Sequence, residues 1–476
     1  MSSLSLRLYH RLPSPARSLA ATMRGWYLRW SRYGRDTPRL IAEAEEREQW
    51  SAAQWDAWRQ ERLAYLLHRA ATRVPYYRAQ WAERRRRGDR ASWELLENWP
   101  ILDNDRVREN PRAFIADDQN PRWMFTEYTS GTTGKPLVLW RTHQTMRALY
   151  ALSAARTRLW HGVSRTDRWA MLGGQLVVPV AKRRPPFWVW NAALRQLYMS
   201  TYHLAPDLIP SYLDALQRHR VVYLAGYTSS LYALAQEVLR LDRTDVTMRV
   251  AITSAEPLPE WQRETIAAAF RCPVRETYGM SEAVAWASEC EAGTLHLWPE
   301  VGLIEVLAHG VVAAPAEGAI GEFICTGLLN ADFPLIRCRL GDSGRLAPPG
   351  ISCGCGRTLP ALAAVEGRTN DLLLTRDGRR VAWLNPVWYG LPVRQGQIVQ
   401  ETLDNIRVRY VPATGFGAES RHLIVQRLHE RLGPVHVVLE EVSDIPRGAN
   451  GKFRTVLCAL PGGSERTVVA RERGVR

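Results

Sequence analysis

The chain has 476 residues, long enough for one large domain and a smaller one, each with its own core. Hydrophobic residues make up 46% and charged residues 23%, a balance that excludes a disordered or fibrous chain, and no run of about 18 apolar residues is present to span a membrane. The net charge of +15 invites a nucleic-acid partner, but acidic residues are interspersed with the basic ones and no zinc-finger, RRM-like or helix-turn-helix spacing accompanies it, so no nucleic acid is expected.

The first 40 residues carry eight arginines against a single acid, Asp36, together with Leu4, Leu6, Leu8, Tyr9, Trp26, Tyr27, Leu28 and Trp30. Such a basic, aromatic-rich stretch suits an anionic membrane surface. The plainer expectation is a helical arm packed on the main domain, with peripheral membrane contact as the other reading. No apolar core followed by a small-residue cleavage site is seen, and seven scattered cysteines make no disulfide framework. A cytoplasmic location is expected, at most peripheral at the inner membrane face.

From about residue 42 to 78 apolar residues recur at helical spacing, as in Trp55, Trp58, Leu63, Leu66 and Leu67, with a stop near Val74-Pro75. Residues 1–80 are therefore read as the arm and 81–369 as the large domain. A further helix is expected from about Thr142 to Leu159. The middle of the chain alternates Val221 to Leu224, a helix from Ser229 to Leu239, Val250 to Ile252, and a helix from Glu260 to Phe270, the rhythm of α/β layers. Beyond Leu295 strands with Gly and Pro turns predict a small β-rich subdomain. Residues 370–476, with Ile398-Val399, Ile406 to Val411, a helix near Ser420 to Leu432 and Val435 to Leu439, read as a separate α+β domain.

Six segments carry chemistry. Tyr128, Thr129, Ser130, Gly131, Thr132, Thr133, Gly134, Lys135 and Pro136 pack hydroxyls, glycines and one cation into a loop suited to wrapping phosphate oxygens; it lacks the spacing of a Walker A loop. Only three of 63 basic residues are lysine, Lys135, Lys182 and Lys452, so lysine marks places where a compact ammonium is required. The loop resembles the phosphate loop of the acyl-adenylate-forming superfamily of acyl-CoA synthetases, luciferases and peptide-synthetase adenylation domains, and the remaining motifs follow in that family's order from about residue 60.

That resemblance implies ATP as cofactor, a small-molecule carboxylic acid as substrate, coenzyme A as acceptor, and a small, mobile C-terminal domain. It assigns Mg²⁺ to Glu282, the α-phosphate to Ser281, and adenine stacking to Tyr278, within Glu276, Thr277, Tyr278, Gly279, Met280, Ser281 and Glu282. It places Ser254, Ala255, Glu256 and Pro257 along the adenine pocket, Asp342 on the ribose hydroxyls, Arg368 near ribose and phosphate, a hinge at Asn370, and Lys452 as the catalytic cation. Ser281 stands where threonine is commoner, Leu340 where threonine usually precedes Gly341-Asp342, and Asn370 where Asp or Lys is usual.

Cys290, His296, Cys353 and Cys355 are the ingredients of a closed, structural Cys₃His zinc site, with unrelated buried cysteines as the alternative. They also resemble the phenylacetate-CoA ligase branch, some members of which carry structural zinc at such positions. The same branch resembles proteins of capsular-polysaccharide function, so an adenylyl- or acyltransferase serving surface-polysaccharide assembly is the second functional expectation. A basic binding protein with a degenerate ligase fold is the third, and intact Lys135, Glu282, Asp342 and Lys452 argue against it. Tyr227 and the Trp/Tyr-rich stretch from Trp188 to Tyr202 are expected to line an acyl pocket.

Overall fold

The computed structural model describes residues 3–128, 137–308, 310–313, 318–368, 373–376, 380–381, 384–388, 390–448 and 453–460. The chain opens with five helices: α1 (Ser3–Arg11), α2 (Ser14–Arg32), α3 (Thr37–Arg47), α4 (Ala52–Arg73) and α5 (Pro75–Arg86). The single helix expected over 42–78 is thus three. Ser51 starts α4 with a reciprocal capping box to Gln54, and Pro75 ends it at Val74, whose extended backbone suits a residue before proline. Leu66, Leu67 and Ala70 of α4 and Tyr77 and Trp81 of α5 are buried with Trp99, Phe114 and Phe333 in one core.

Among the described residues, fourteen strands form one mixed sheet. Its first part is parallel, in the spatial order Gln196–Ser200, Trp169–Gly173, Tyr223–Tyr227, Ala251–Ser254, Val274–Gly279, with Trp188–Asn191 antiparallel on the edge. Helices Ile209–Arg218, Thr228–Arg240 and Glu260–Phe270 connect these strands and bury Leu213, Leu231 and Phe270 against Leu172, Leu197 and Leu224. The strands are apolar at successive positions because both faces of a parallel sheet are covered.

At Val274–Gly279 the sheet changes character. Trp286–Glu289 pairs with it antiparallel, and Leu295–Leu297, Ala361–Arg368, Cys338–Leu346, Gly321–Gly327, Gly302–Ala308 and Val311–Ala313 follow in antiparallel array. The β-rich region expected beyond Leu295 therefore continues the α/β sheet. A four-stranded sheet in the order His436–Glu441, Asn405–Pro412, Val393–Gln400, Val456–Cys458 makes the small C-terminal unit, where helix Ala418–Leu432 lays Ile424 and Leu428 over Ile398, Ile406 and Val408. Among the described residues no helix is long and apolar enough to cross a membrane.

Candidate functional site

Parallel strands aim their carboxyl ends at one crevice, the usual place for a ligand in such a sheet. Here Gly173, Tyr227, Ser254 and Gly279 end four of the strands, and all four line a cleft of about 2390 Å³. The cleft also receives Ala255, Glu256, Pro257, Glu276, Thr277, Tyr278, Ser281, Glu282 and Asp342, so every described side chain assigned to nucleotide binding lies on one surface. Arg368 has only its backbone described, in strand Ala361–Arg368, where it is in register with Asp342. Thr129, Ser130, Gly131, Thr132, Thr133, Gly134, Lys135, Asn370 and Lys452 lie outside the described residues.

The strands flanking the phosphate-loop sequence form a hairpin, with Tyr128 opposite Val138 and Phe125 opposite Arg141. The buried Arg141 pairs with Glu127 across this hairpin and also donates to the backbone carbonyl of Ser281. One guanidinium therefore ties the base of the loop to the segment bearing Ser281 and Glu282. No motif announces Arg141, and sequence reasoning missed it.

Tyr278 and Asp342 stand on different strands, yet the Tyr278 hydroxyl donates to Asp342 Oδ2 at 3.0 Å. Phe323 meets the Tyr278 ring edge-on, with centroids 6.2 Å apart. The Thr277 hydroxyl donates to the Thr253 carbonyl at 2.7 Å, locking the two central strand ends together. Burial, with the charge of Glu289 nearby, lifts the Glu276 carboxyl to about 7. Burial also raises the phenol of Tyr227, whose oxygen accepts the Gly174 N–H at 3.1 Å. Ala255 and Ala283 hold left-handed backbone, φ +65° and +51°, a conformation costly for non-glycine residues and frequent at functional sites.

Glu256 has an additional place. Its Oε2 accepts the Ser229 N–H and its Oε1 accepts the Phe453 N–H, each at 2.8 Å, so it joins the large unit to the residue directly after Lys452. Arg447 donates to the Ser229 hydroxyl at 2.7 Å beside it. Of the aromatic stretch expected around the acyl pocket, Tyr198 and Val189 line the cleft, whereas the buried Trp188, Leu197 and Met199 belong to the core beneath; alternation along two strands divides them.

A second constellation sits away from the cleft. The ligand atoms of Cys290, His296, Cys353 and Cys355 lie within 4.8 Å of one another. Cys290 Sγ is 3.6 Å from Cys353 Sγ, far beyond a disulfide bond, and Cys355 Sγ is 3.3 Å from His296 Nε2. Thiolates bound to one tetrahedral zinc at about 2.3 Å stand about 3.8 Å apart, so the donor set fits that ion. His296 Nδ1 is 3.0 Å from the Leu359 carbonyl, which fixes the ring with Nε2 turned to the cluster. Burial raises the Cys290 thiol; at Cys353 burial acts the same way but is outweighed by hydrogen bonding with Thr294, Cys355 and His296, which holds that thiol below the usual range.

Residues 55–313 match the family described as AMP-binding enzyme, and residues 373–458 match the CapK C-terminal domain. The protein CapK of Staphylococcus aureus is 28% identical over 369 residues, covering 75% of this chain and 79% of that protein. A phenylacetate-coenzyme A ligase of Thermus thermophilus is 24% identical over 463 residues, covering 84% of this chain and 96% of that protein. In solved structures, 2-hydroxyisobutyryl-CoA ligase in its postadenylation state superposes with a TM-score of 0.66 at 20% identity, covering 87% of this chain and 91% of that one. The same ligase in its thioesterification state, with the same coverage, gives 0.52.

Proposed function

The chain belongs to the AMP-binding enzyme family, and from that premise we propose that it is an AMP-forming carboxylate ligase. A carboxylate oxygen of the substrate attacks the α-phosphorus of ATP, pyrophosphate leaves, and the acyl-adenylate then passes its acyl group to the thiol of coenzyme A with release of AMP. The observation that carries this reading is the convergence of Tyr278, Ser281, Glu282 and Asp342 at the carboxyl ends of the parallel strands, with the small C-terminal unit fastened to Glu256 at the same cleft.

In this reading Tyr278 stacks on adenine while its hydroxyl orients Asp342 toward the ribose hydroxyls. Glu282 holds Mg²⁺, which when bound draws charge from the phosphates. Arg141 keeps Ser281 and the phosphate-loop hairpin in mutual register. Lys452 supplies a localised ammonium between carboxylate and α-phosphate, where charge shifts in the transition state. The grip of Glu256 on Phe453, together with the better superposition on a postadenylation state, supports an arrangement in which the small unit is docked for the first half-reaction. Rotation near Asn370 then withdraws Lys452 and admits the thiol.

Zinc held by Cys290, His296, Cys353 and Cys355 is structural in this reading, since four protein ligands leave no open position. The seven cysteines, none in a disulfide, fit a reducing, cytoplasmic compartment.

The match of residues 373–458 to the CapK C-terminal domain favours one second reading, an adenylyl- or acyltransferase in surface-polysaccharide assembly. Pyrophosphate release from ATP, measured across aryl, fatty, amino and sugar acids with and without coenzyme A, separates the two. Release that rises with coenzyme A for one acid establishes the ligase, and release indifferent to coenzyme A overturns the thioester step in favour of the transferase.

A further inference from the structure

An ordinary amphipathic helix turns its large apolar side chains inward and its small or polar ones to water. Helix α2 does the reverse. Its inward strip is Ser18, Thr22, Gly25 and Arg29: Ser18 Oγ accepts the Trp190 N–H at 3.2 Å, Thr22 Oγ1 accepts the Ala192 N–H at 3.1 Å, and Arg29 donates to the Ala193 carbonyl at 3.5 Å. At Gly25 the helix approaches so closely that a Cβ would lie 2.1 Å from Asn191 Oδ1. These contacts bind α2 to the edge strand Trp188–Asn191 through polar atoms and backbone.

The neighbouring strip, offset by one residue, is Leu19, Met23, Trp26 and Trp30, which remain 63%, 66%, 58% and 57% exposed. Helix α1 repeats the arrangement. Tyr9 donates to the Val177 carbonyl at 3.2 Å and His10 lies 2.8 Å from the Leu176 carbonyl, while Leu8 and Leu12 stay outside. The two helices and the turn between them thus hold a row of six large apolar side chains largely to the outside, of which Trp30 also meets His143 edge-on at 4.6 Å. The expected helical arm is present and packed on the main domain, but it is held largely through polar atoms.

Cations flank the row. The first 35 residues contain no acid, and Arg7, Arg11, Arg24 and Arg35 are exposed, whereas Arg17 is buried and Arg32 lies over the Tyr150 ring at 4.3 Å. Arg24 lies over the Tyr27 ring at 4.7 Å and Arg29 over the Trp26 ring at 5.4 Å, so guanidinium groups stand directly beside the aromatic rings. Tryptophan and leucine on one strip with arginine along its margins is the composition of a helix that lies in a bilayer interface, its rings at headgroup depth and its cations on lipid phosphates. A second copy of this chain is a poor occupant, because two such faces would oppose arginine to arginine.

We propose that α1 and α2 form a docking surface for an anionic lipid membrane. Leu6, Ala20, Leu28 and Tyr33 of the same segment line the cleft described above, so docking would bring the mouth of the cleft to the lipid surface.

The test is sedimentation of the full chain with vesicles of phosphatidylcholine alone or mixed with phosphatidylglycerol, beside size-exclusion chromatography without lipid. Binding to the mixed vesicles is expected to exceed binding to the neutral ones about ten-fold and to weaken in high salt. Trp26→Ser/Trp30→Ser and, separately, Arg7→Glu/Arg11→Glu should each reduce it about ten-fold while the circular dichroism spectrum and thermal melt stay those of the parent. Leu19→Ser/Met23→Ser provides a second apolar variant should the tryptophan pair misfold. Absence of sedimentation with anionic vesicles, or binding unchanged in all the folded variants, overturns the proposal. So does a dimer in solution that the Trp26/Trp30 variant converts to monomer, since the strip would then be an interface between copies.

Discussion

Glu256 accepts the backbone N–H of Phe453 at 2.8 Å, and its second oxygen holds Ser229 at the same distance. A carboxylate that accepts from two chain segments fixes their spacing. Because Phe453 follows Lys452, the arrangement predicts that Glu256→Ala weakens acyl-adenylate formation more than acyl transfer from the preformed adenylate. Losing hydrogen bonds to a charged group costs about 1.5–3 kcal/mol, or roughly 10- to 100-fold in rate if the docked state is required. Pyrophosphate release should fall by that amount while transfer from preformed adenylate to coenzyme A persists. Lys452→Ala should show the same split with a larger loss, and equal loss of both steps in either variant argues against alternation of the small unit.

The bond from Tyr278 to Asp342 makes a distinct prediction. Tyr278→Phe keeps a ring for stacking and removes only the hydroxyl that steers the carboxylate. The KM for ATP should rise about ten-fold with kcat nearly unchanged, the signature of lost uniform binding. Asp342→Ala should raise it further. An unaltered KM for ATP in Asp342→Ala would remove this carboxylate from the nucleotide site.

Much of this was legible in the sequence. The helices Thr228–Arg240 and Glu260–Phe270 fall within a residue or so of their apolar period, and the strand Asn405–Pro412 contains the run Ile406 to Val411. The cleft residues were readable because Glu276 to Glu282 and Gly341-Asp342 are short contiguous motifs. What was not legible depends on tertiary partners. Arg141 and Arg447 act through contacts 140 and 218 residues away, and no local spacing encodes such pairs. The aromatic stretch from Trp188 was ambiguous because it forms two short strands, whose alternation sends Tyr198 to the cleft and Trp188 to the core. Which face of α2 is covered was not legible, because an apolar composition does not report which face meets the domain.

The cysteine cluster predicts a metal content. Protein purified without chelator should contain about one zinc per chain, and less than about a tenth would exclude the site. Cys355→Ser should release the ion and lower the melting temperature, because the cluster joins the loop after strand Cys338–Leu346 to the hairpin of Trp286–Glu289 and Leu295–Leu297. Arg357 connects that loop onward, donating to Glu48 at 2.9 Å and to Glu291 at 2.8 Å. Chelation should therefore also expose the chain near residue 48 to limited proteolysis. Metal loss without any change in melting would show that the ion binds without a structural role.

The raised carboxyl of Glu276 gives a pH prediction whose sign follows from linkage. In the unfolded chain a glutamate ionises near about 4.3, whereas in the fold burial and the neighbouring Glu289 charge hold Glu276 protonated up to about 7. Below the lower value both states carry the proton and the fold loses nothing. Between the two values the unfolded state releases it first, so the folded state binds more protons and stability falls as pH rises. Above the upper value the deficit is complete and constant. Glu276→Gln, which keeps shape and cannot ionise, should differ least from the parent near pH 5 and gain about a further 1–3 kcal/mol over it at pH 8. Urea unfolding at the two pH values measures this directly. A gain equal at both would assign the effect to packing, and a gain confined to pH 5 would mean that Glu276 is stabilised as the anion by a partner in the cleft.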